Sequence, residues 1–230
     1  MSVPTHQSRR ARHAVPFEGR QPADVRILDV LGRATRGDFP PFDEMVEVLT
    51  RPTGALGAVL AFSGHHIVAA DVPAAWVAGY CPPGELTAPL GPRFLEALAT
   101  RLDARPGAHD LVLWGPARPG RPDLNLSLMI DQTHPRVRRS LRYRHDVRVY
   151  AADGGLLTVG RGLAGRWEAG FEVTPDARGK GLGRALAAAA AHLIPAGETL
   201  FLQVALGNVA SLRAVLAAGY RPIGAELLLT

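Results

Sequence analysis

The sequence has one cysteine, Cys81, and one lysine, Lys180. A lone thiol excludes an intramolecular disulfide and points to a reducing compartment, so the cytoplasm is the expected location. Apart from Lys180 and the histidines, every basic residue is arginine, and Ala, Gly and Pro are abundant, which is the bias of a GC-rich genome. The net charge of +5 therefore needs no selection for phosphate binding. Long apolar runs are missing too: Gly, Pro or Arg breaks each one short of the roughly 18 residues of a membrane span. The first 20 residues carry Arg9, Arg10 and Arg12 without the apolar stretch of a secretory signal. With 47% hydrophobic and 20% charged residues, the 230-residue chain can bury a sizeable core, which excludes a wholly disordered or fibrous protein.

Other chemistries are absent by motif. The histidines lack H-x-E, HExxH or cysteine partners, so no metal is expected, and His65 and His66 read as exposed residues of a hairpin turn. No G-x-S-x-G elbow occurs. Cys81, ahead of Pro82-Pro83, reads as a buried or loop thiol rather than a nucleophile. The densest basic stretch, Arg136 to Arg144, reads as a solvated face rather than a nucleic-acid surface. Trp76, Tyr80 and Trp114 are candidates to line a substrate pocket between the two halves.

Residues 1–21 read as a basic flexible tail, 22–122 as an N-terminal lobe and 123–230 as a C-terminal domain. Phe42, Met45, Val46 and Leu49 stand at helical spacing. Two short apolar runs, 58–62 and 67–70, read as a hairpin, 92–102 as a helix and 110–114 as a strand. After a Pro/Gly/Arg-rich linker at 115–123 come strands at 147–151, 156–161 and 167–173 and a helix at 183–194. A strand at 199–206, a helix at 210–218 and extended chain at 220–229 follow. This is an α/β layer pattern. The order hairpin, helix, strand recurs in both halves, and aligning Gly91 with Gly183 suggests a repeat whose first copy has Leu86 and Pro89 in place of Arg178 and Gly181.

The sharpest feature is Val173-Thr174-Pro175-Asp176-Ala177-Arg178-Gly179-Lys180-Gly181-Leu182-Gly183-Arg184, between a strand and a helix. Glycines at 179, 181 and 183 let successive backbone N–H groups converge on one anion. The helix adds its positive end, and Arg178, Lys180 and Arg184 add charge. A pyrophosphate suits such a loop. The Walker pattern is absent, and the dinucleotide fingerprint fails because it would need glycine at Arg184.

Arg178-Gly179-Lys180-Gly181-Leu182-Gly183, with Val173 and Pro175 upstream, resembles the R/Q-x-x-G-x-G/A signature of the GNAT superfamily of acyl-CoA-dependent N-acyltransferases. Asn208-Val209-Ala210-Ser211, with Ala217-Ala218-Gly219-Tyr220, resembles that family's downstream helix and strand. The resemblance covers about residues 147–229. It implies a mixed, mostly antiparallel central sheet flanked by helices, and the repeat would make it a tandem of two such lobes. It also implies acetyl-CoA as co-substrate, with no metal. The amides of Gly179, Gly181, Leu182, Gly183 and Arg184 would hold the pyrophosphate, flanked by Arg178 and Lys180. The backbone of Phe171 and Val173 would pair with the pantetheine arm, the following strand would splay away over 201–205, and Asn208 and Ser211 would complete the cofactor side.

For the base, Glu168 stands ten residues before Arg178, near the family's usual glutamate; Glu172 and a water-mediated base are the alternatives. Either carboxylate could instead pair with Arg161 or Arg166. Where many members carry a tyrosine that protonates the leaving thiolate, this chain has Val215. The implied reaction is acetyl transfer to a primary amine of a small molecule, amino acid or peptide. A catalytically weak acyl-CoA-binding module and a transferase of another acyl group are the alternatives. The expected partner is a small-molecule amine, without membrane or nucleic acid; a homodimer is compatible with the sequence.

Overall fold

A computed structural model describes residues 22–130 and 133–230. The expected tail at 1–21 lies outside the described residues. Among the described residues, ten strands form one mixed, mostly antiparallel sheet, with helices on both faces.

The chain opens with α1 (Ala23–Thr35), whose Ile27, Val30, Leu31 and Ala34 recur at helical spacing and are buried. Next comes β1 (Met45–Leu49), which corrects the helical reading of that segment. Glu44 takes a left-handed φ of 59° immediately ahead of it. Val46 and Val48 alternate with Glu47 as a strand requires, and the segment adds in parallel to an open sheet edge. Phe42, counted in the helical stripe, is 66% exposed.

The expected hairpin forms as β2 (Gly57–Phe62) and β3 (His65–Ala70). His65 and His66 belong to β3 and are buried, not exposed in the turn, because the turn needs only Ser63-Gly64. A short α2 (Ala74–Ala78) precedes α3 (Pro92–Leu102), the helix expected at those residues, and β4 (Asp110–Pro116). Between the expected linker and the basic stretch the chain adds β5 (Ser127–Met129), and the basic stretch forms most of α4 (Pro135–Tyr143), which buries Val137 and Ser140 and turns Arg138, Arg139 and Arg142 outward. The rest follows the sequence pattern closely: β6 (His145–Ala152), β7 (Gly155–Arg161), β8 (Trp167–Val173), α5 (Leu182–Ala190), β9 (Thr199–Ala205), α6 (Val209–Ala217) and β10 (Arg221–Leu229).

The strand order is β1-β3-β2-β10-β4-β9-β8-β7-β6-β5. The last strand lies between β2 and β4, so residues 22–122 and 123–230 share one sheet. The arrangement does not repeat: β8 pairs directly with β9, whereas β2 and β10 separate β3 from β4. Strand alternation sorts the core. Trp167, Ala169, Leu200 and Leu202 pack with Leu186 and Ala190 of α5, and Val59, Val68 and Leu227 pack with Phe94 and Leu98 of α3. On the opposite face Leu60, Val112, Phe201 and Ile223 meet Ile27 and Leu31 of α1, with α4 further along the sheet. Trp76 and Tyr80 pack with Phe94, while Trp114 packs on the α1 side, so the three do not line one pocket.

Candidate active site

Backbone geometry builds the glycine loop. Gly179 and Gly181 have φ of 76° and 86°, with open space where a Cβ would stand. Leu182 starts α5 without a side-chain cap. The Ala185 N–H closes onto the Gly181 carbonyl (3.1 Å), so the amides ahead of it at Leu182, Gly183 and Arg184 are the helix's open donors. A Cβ at Gly183 would meet Ala214 of α6 at 3.4 Å and Phe171 at 3.5 Å, ordinary contact distances that would leave room for a small side chain. The Gly154 carbonyl of the β6–β7 turn accepts from the Thr174 N–H (2.9 Å) and hydroxyl (3.1 Å), which fixes the loop to the sheet. Arg178 and Lys180 are exposed beside the open amides. A groove of about 630 Å³ runs from Lys180, Leu182 and Arg184 to Arg118 and His192. Open amides, positive charge and clear space fit the pyrophosphate end of a CoA thioester.

Next to the loop, the sheet parts. β8 and β9 pair in parallel at Trp167↔Leu200, Glu168↔Phe201 and Ala169↔Leu202. Beyond that register, residues 170–173 and 203–205 continue as strands without pairing each other. The splay expected over 201–205 therefore begins at 203. Phe171 and Val173 stand on the part of β8 not paired with β9, with their side chains on the α5 side.

On the α1/α4 face, a charged cluster lies at the parting point. Glu168 is 3% exposed and accepts from Arg166 Nε (2.9 Å), Arg144 Nε (2.8 Å) and the Leu163 N–H (3.2 Å). Burial would raise its carboxyl; Arg166 and Arg144 outweigh that and hold it below the usual range. Arg166 also donates to Glu226 of β10 (2.6 Å), itself buried. Gly162 has to be glycine here, because a Cβ would lie 2.2 Å from the Glu168 carboxyl carbon. From the end of α4, Arg144 bridges the parting strands: its Nε meets Glu168 on β8 and its Nη2 meets Gln203 Oε1 on β9 (3.2 Å). Thr158 of β7 donates to the Gly170 carbonyl (3.1 Å) and meets Ser140 of α4 (2.8 Å), which steadies the first residue of β8 beyond its pairing with β9.

This changes the reading of the carboxylates. Glu168 is a closed ion-pair partner, and a carboxylate shared by two guanidinium groups is a weak proton acceptor. Glu172 is more exposed and lies 3.4 Å from Arg136. Both pair with arginines, but with Arg144, Arg166 and Arg136, not Arg161. Asn208 caps α6, its side-chain oxygen accepting from the Ser211 N–H (3.1 Å). Val215 is fully buried in the core behind α5. Tyr220 donates to the Ala187 carbonyl (2.9 Å), and burial raises its phenol, so it does not replace the missing tyrosine. Burial likewise pushes the Cys81 thiol up to about 11. Among the described residues, no cluster of His, Cys, Asp and Glu has the makings of a metal site, and no helix is long and apolar enough to cross a membrane.

The sequence pattern missed Arg144, Gln203, Asp110 and Glu226. Only strand alternation in 203 and 226 placed a polar side chain inside otherwise apolar runs, a signal of burial with a partner.

Residues 151–220 match the model of the Acetyltransferase (GNAT) family. The likeness to that family is therefore confined to the C-terminal part of the chain. Among curated proteins none matches. Solved structures that resemble it include a GNAT-family acetyltransferase from Colwellia psychrerythraea (15% identity, TM-score 0.35, covering 59% of this chain and 61% of that one). A putative GNAT acetyltransferase from Novosphingobium aromaticivorans (18% identity, TM-score 0.38) covers 55% and 66%. A GCN5-related N-acetyltransferase from Kribbella flavida (12% identity, TM-score 0.38) covers 91% and 96%. This chain thus spans less than two thirds of the length of the first two.

Proposed function

We propose that this protein transfers the acetyl group of acetyl-CoA to a primary amine of a small molecule, amino acid or peptide by direct attack. The observation that carries this reading is the parting of β8 from β9 beside the glycine loop. Open amides hold the pyrophosphate at one end, and strand backbone at 171 and 173, which pairs with β7 but not with β9, receives the pantetheine arm as an added strand. The thioester then lies at the gap, where an amine approaches from the α1/α4 face. Bound acetyl-CoA supplies the activated acyl carbon; the protein supplies orientation, exclusion of water and removal of a proton. Residues 22–122 contribute α1, β2 and β4 to the acceptor side and residues 123–230 the cofactor side. The exposed arginines of α4 favour an acceptor that carries a carboxylate or phosphate. A small-molecule acceptor and a cytoplasmic location belong to the same proposal.

Calorimetric titration with acetyl-CoA, alongside desulfo-CoA and ATP, tests the cofactor assignment. One-to-one micromolar binding of acetyl-CoA is the expected result. Gly181→Val adds a β-branched side chain at a left-handed φ beneath the anion, and it should weaken acetyl-CoA binding at least about tenfold, roughly the worth of one lost charge-assisted hydrogen bond. Wild-type affinity in that variant would remove the pyrophosphate assignment. A second reading, binding without transfer, rests on the buried Val215; it predicts tight binding with no release of CoA thiol on any amine.

A further inference from the structure

With Glu168 closed between two arginines, the acceptor face needs another proton acceptor. Four carboxylates stand on that face near the parting strands: Glu168, Glu172, Glu226 and Asp110. Three are engaged, with Arg166 and Arg144, with Arg136, and with Arg166 respectively. Asp110 differs: among the described residues it has no hydrogen-bond or ion-pair partner, and it is half-buried.

Its position follows from the register. Asp110 opens β4 and pairs with Ala205, the last residue of β9, on one side and with Glu226 of β10 on the other. Directly paired residues share a face, so Asp110 projects to the same side as Glu226 and, two and four residues back along β9, as Gln203 and Phe201. Phe201 pairs in turn with Glu168. Asp110 therefore stands beside the free end of β9, beyond the point where that strand leaves β8.

We propose that Asp110 is the general base, taking a proton from the ammonium group of the acceptor before it attacks. This rests on the acyltransferase reading above. The carboxylate removes one proton from the ammonium. The freed lone pair forms the C–N bond as the C–S bond breaks and its electron pair leaves on sulfur. The second nitrogen proton goes to the CoA thiolate, and Asp110 returns its own to solvent. One acetyl group passes from sulfur to nitrogen, and one net proton is released to solvent for each amine acetylated and CoA thiol formed.

The surroundings suit that task. Burial, Glu226 from β10 and Glu168 from β8 push the Asp110 carboxyl up to about 6, while Arg139 of α4 and the adjacent His109 oppose them. β9 presents Ala205 and Gln203, neither charged. At neutral pH such a group is ionised yet basic enough to accept a proton, whereas Glu168, held below the usual range, is ionised and weakly basic.

The test uses the full chain, acetyl-CoA and a panel of amino acids, amino sugars, polyamines and short peptides, following CoA thiol release from about pH 5 to about pH 9. Wild-type kcat/KM should fall below an apparent pKa of about 6, matching the Asp110 carboxyl titration read by carbon-13 NMR. Asp110→Asn should bind acetyl-CoA as the wild type does, turn over about 100-fold more slowly and lose that acid limb. Asp110→Glu should recover part of the rate together with the limb. An Asp110→Asn variant with undiminished rate and limb overturns the assignment and leaves the acyltransferase intact, as does a carboxyl that titrates near 4. A wild type that binds no acetyl-CoA, or binds it and turns over no amine, overturns the acyltransferase reading and this proposal with it.

Discussion

Among the described residues the sheet contains two parallel pairings, and they behave differently. β1 and β3 run together without a break from Met45↔His65 to Leu49↔Ala69. β8 and β9 pair from Trp167↔Leu200 to Ala169↔Leu202 and then part. Each carries charged side chains on the α1/α4 side. At the first, Arg26 of α1 grips Glu47 (2.9 Å), which lies 3.7 Å from His65, and Asp43 bonds the other ring nitrogen of His65 (2.9 Å). At the second, Arg166 and Arg144 grip Glu168, and Arg144 reaches across to Gln203. The closed pair joins a strand to its neighbour and to α1. The open pair spends its charges on holding apart strands anchored from elsewhere: β8 by β7 and β9 by β4. Parallel pairing does not by itself create a gap; outer neighbours that hold each strand, and a charged strut between them, do.

The comparison can be broken most severely at Arg166. Arg166→Met would leave Glu168 and Glu226 buried without their shared partner, with an expected loss of about 3–5 kcal/mol seen in thermal melts. A fall below about 1 kcal/mol would mean that Arg144 and solvent suffice for both carboxylates.

Glu47 sharpens the other side. Burial would raise its carboxyl, but His65 and Arg26 hold it down to about 2, while Glu47 and Asp43 together raise His65 above 6.5. A lowered carboxyl contributes stability that is present above about 4.5 and lost as pH falls through about 2; a raised histidine contributes below 6.5 and loses its contribution as pH rises through its folded value. The edge should be firmest between those limits. Glu47→Gln should cost about 1 kcal/mol, since Arg26 is near enough to solvent to hydrate, and should flatten the acid side of the stability profile.

The smallest expected effect has the opposite sign. An Asp110 carboxyl raised to about 6 is destabilising when ionised: the cost is absent below about 3.8, grows between there and 6, and is full above. Asp110→Asn should therefore raise stability at pH 7, by up to about 1 kcal/mol after allowance for its solvent contact. A melting temperature that falls instead would show that Asp110 is a structural partner.

Much of this fold was readable along the chain. The strands at 156–161 and 167–173 and the helix at 92–102 emerged at or within a residue of their bounds, because period-2 and period-3.6 apolar spacing is written locally. Helix α1 and strand β1 were not, for different reasons. The stripe of α1 begins at a proline after a basic stretch that carries no start signal. The apolar spacing of β1 fits either period, and only the waiting edge of β3 selects the strand.

The site divides in the same way. Glycine spacing, helix start and flanking arginines lie within a dozen consecutive residues, so the anion loop followed from sequence: positive φ at Gly179 and Gly181 and open amides at the start of α5 are local consequences of which residues come next to one another. The acceptor face was decided by tertiary structure. Asp110, Arg144, Glu168, Gln203 and Glu226 come from β4, the end of α4, β8, β9 and β10, brought together by a strand order that places the last strand beside β4. Glu168 stood where a base would be expected, and nothing local to it foretold Arg144. Arg166, two residues away, was a local candidate; Arg144, arriving from the end of α4, completed the clamp that turned that carboxylate into a strut, and the same topology left Asp110 without a partner among the described residues, because charge pairing is decided by distance in space rather than along the chain.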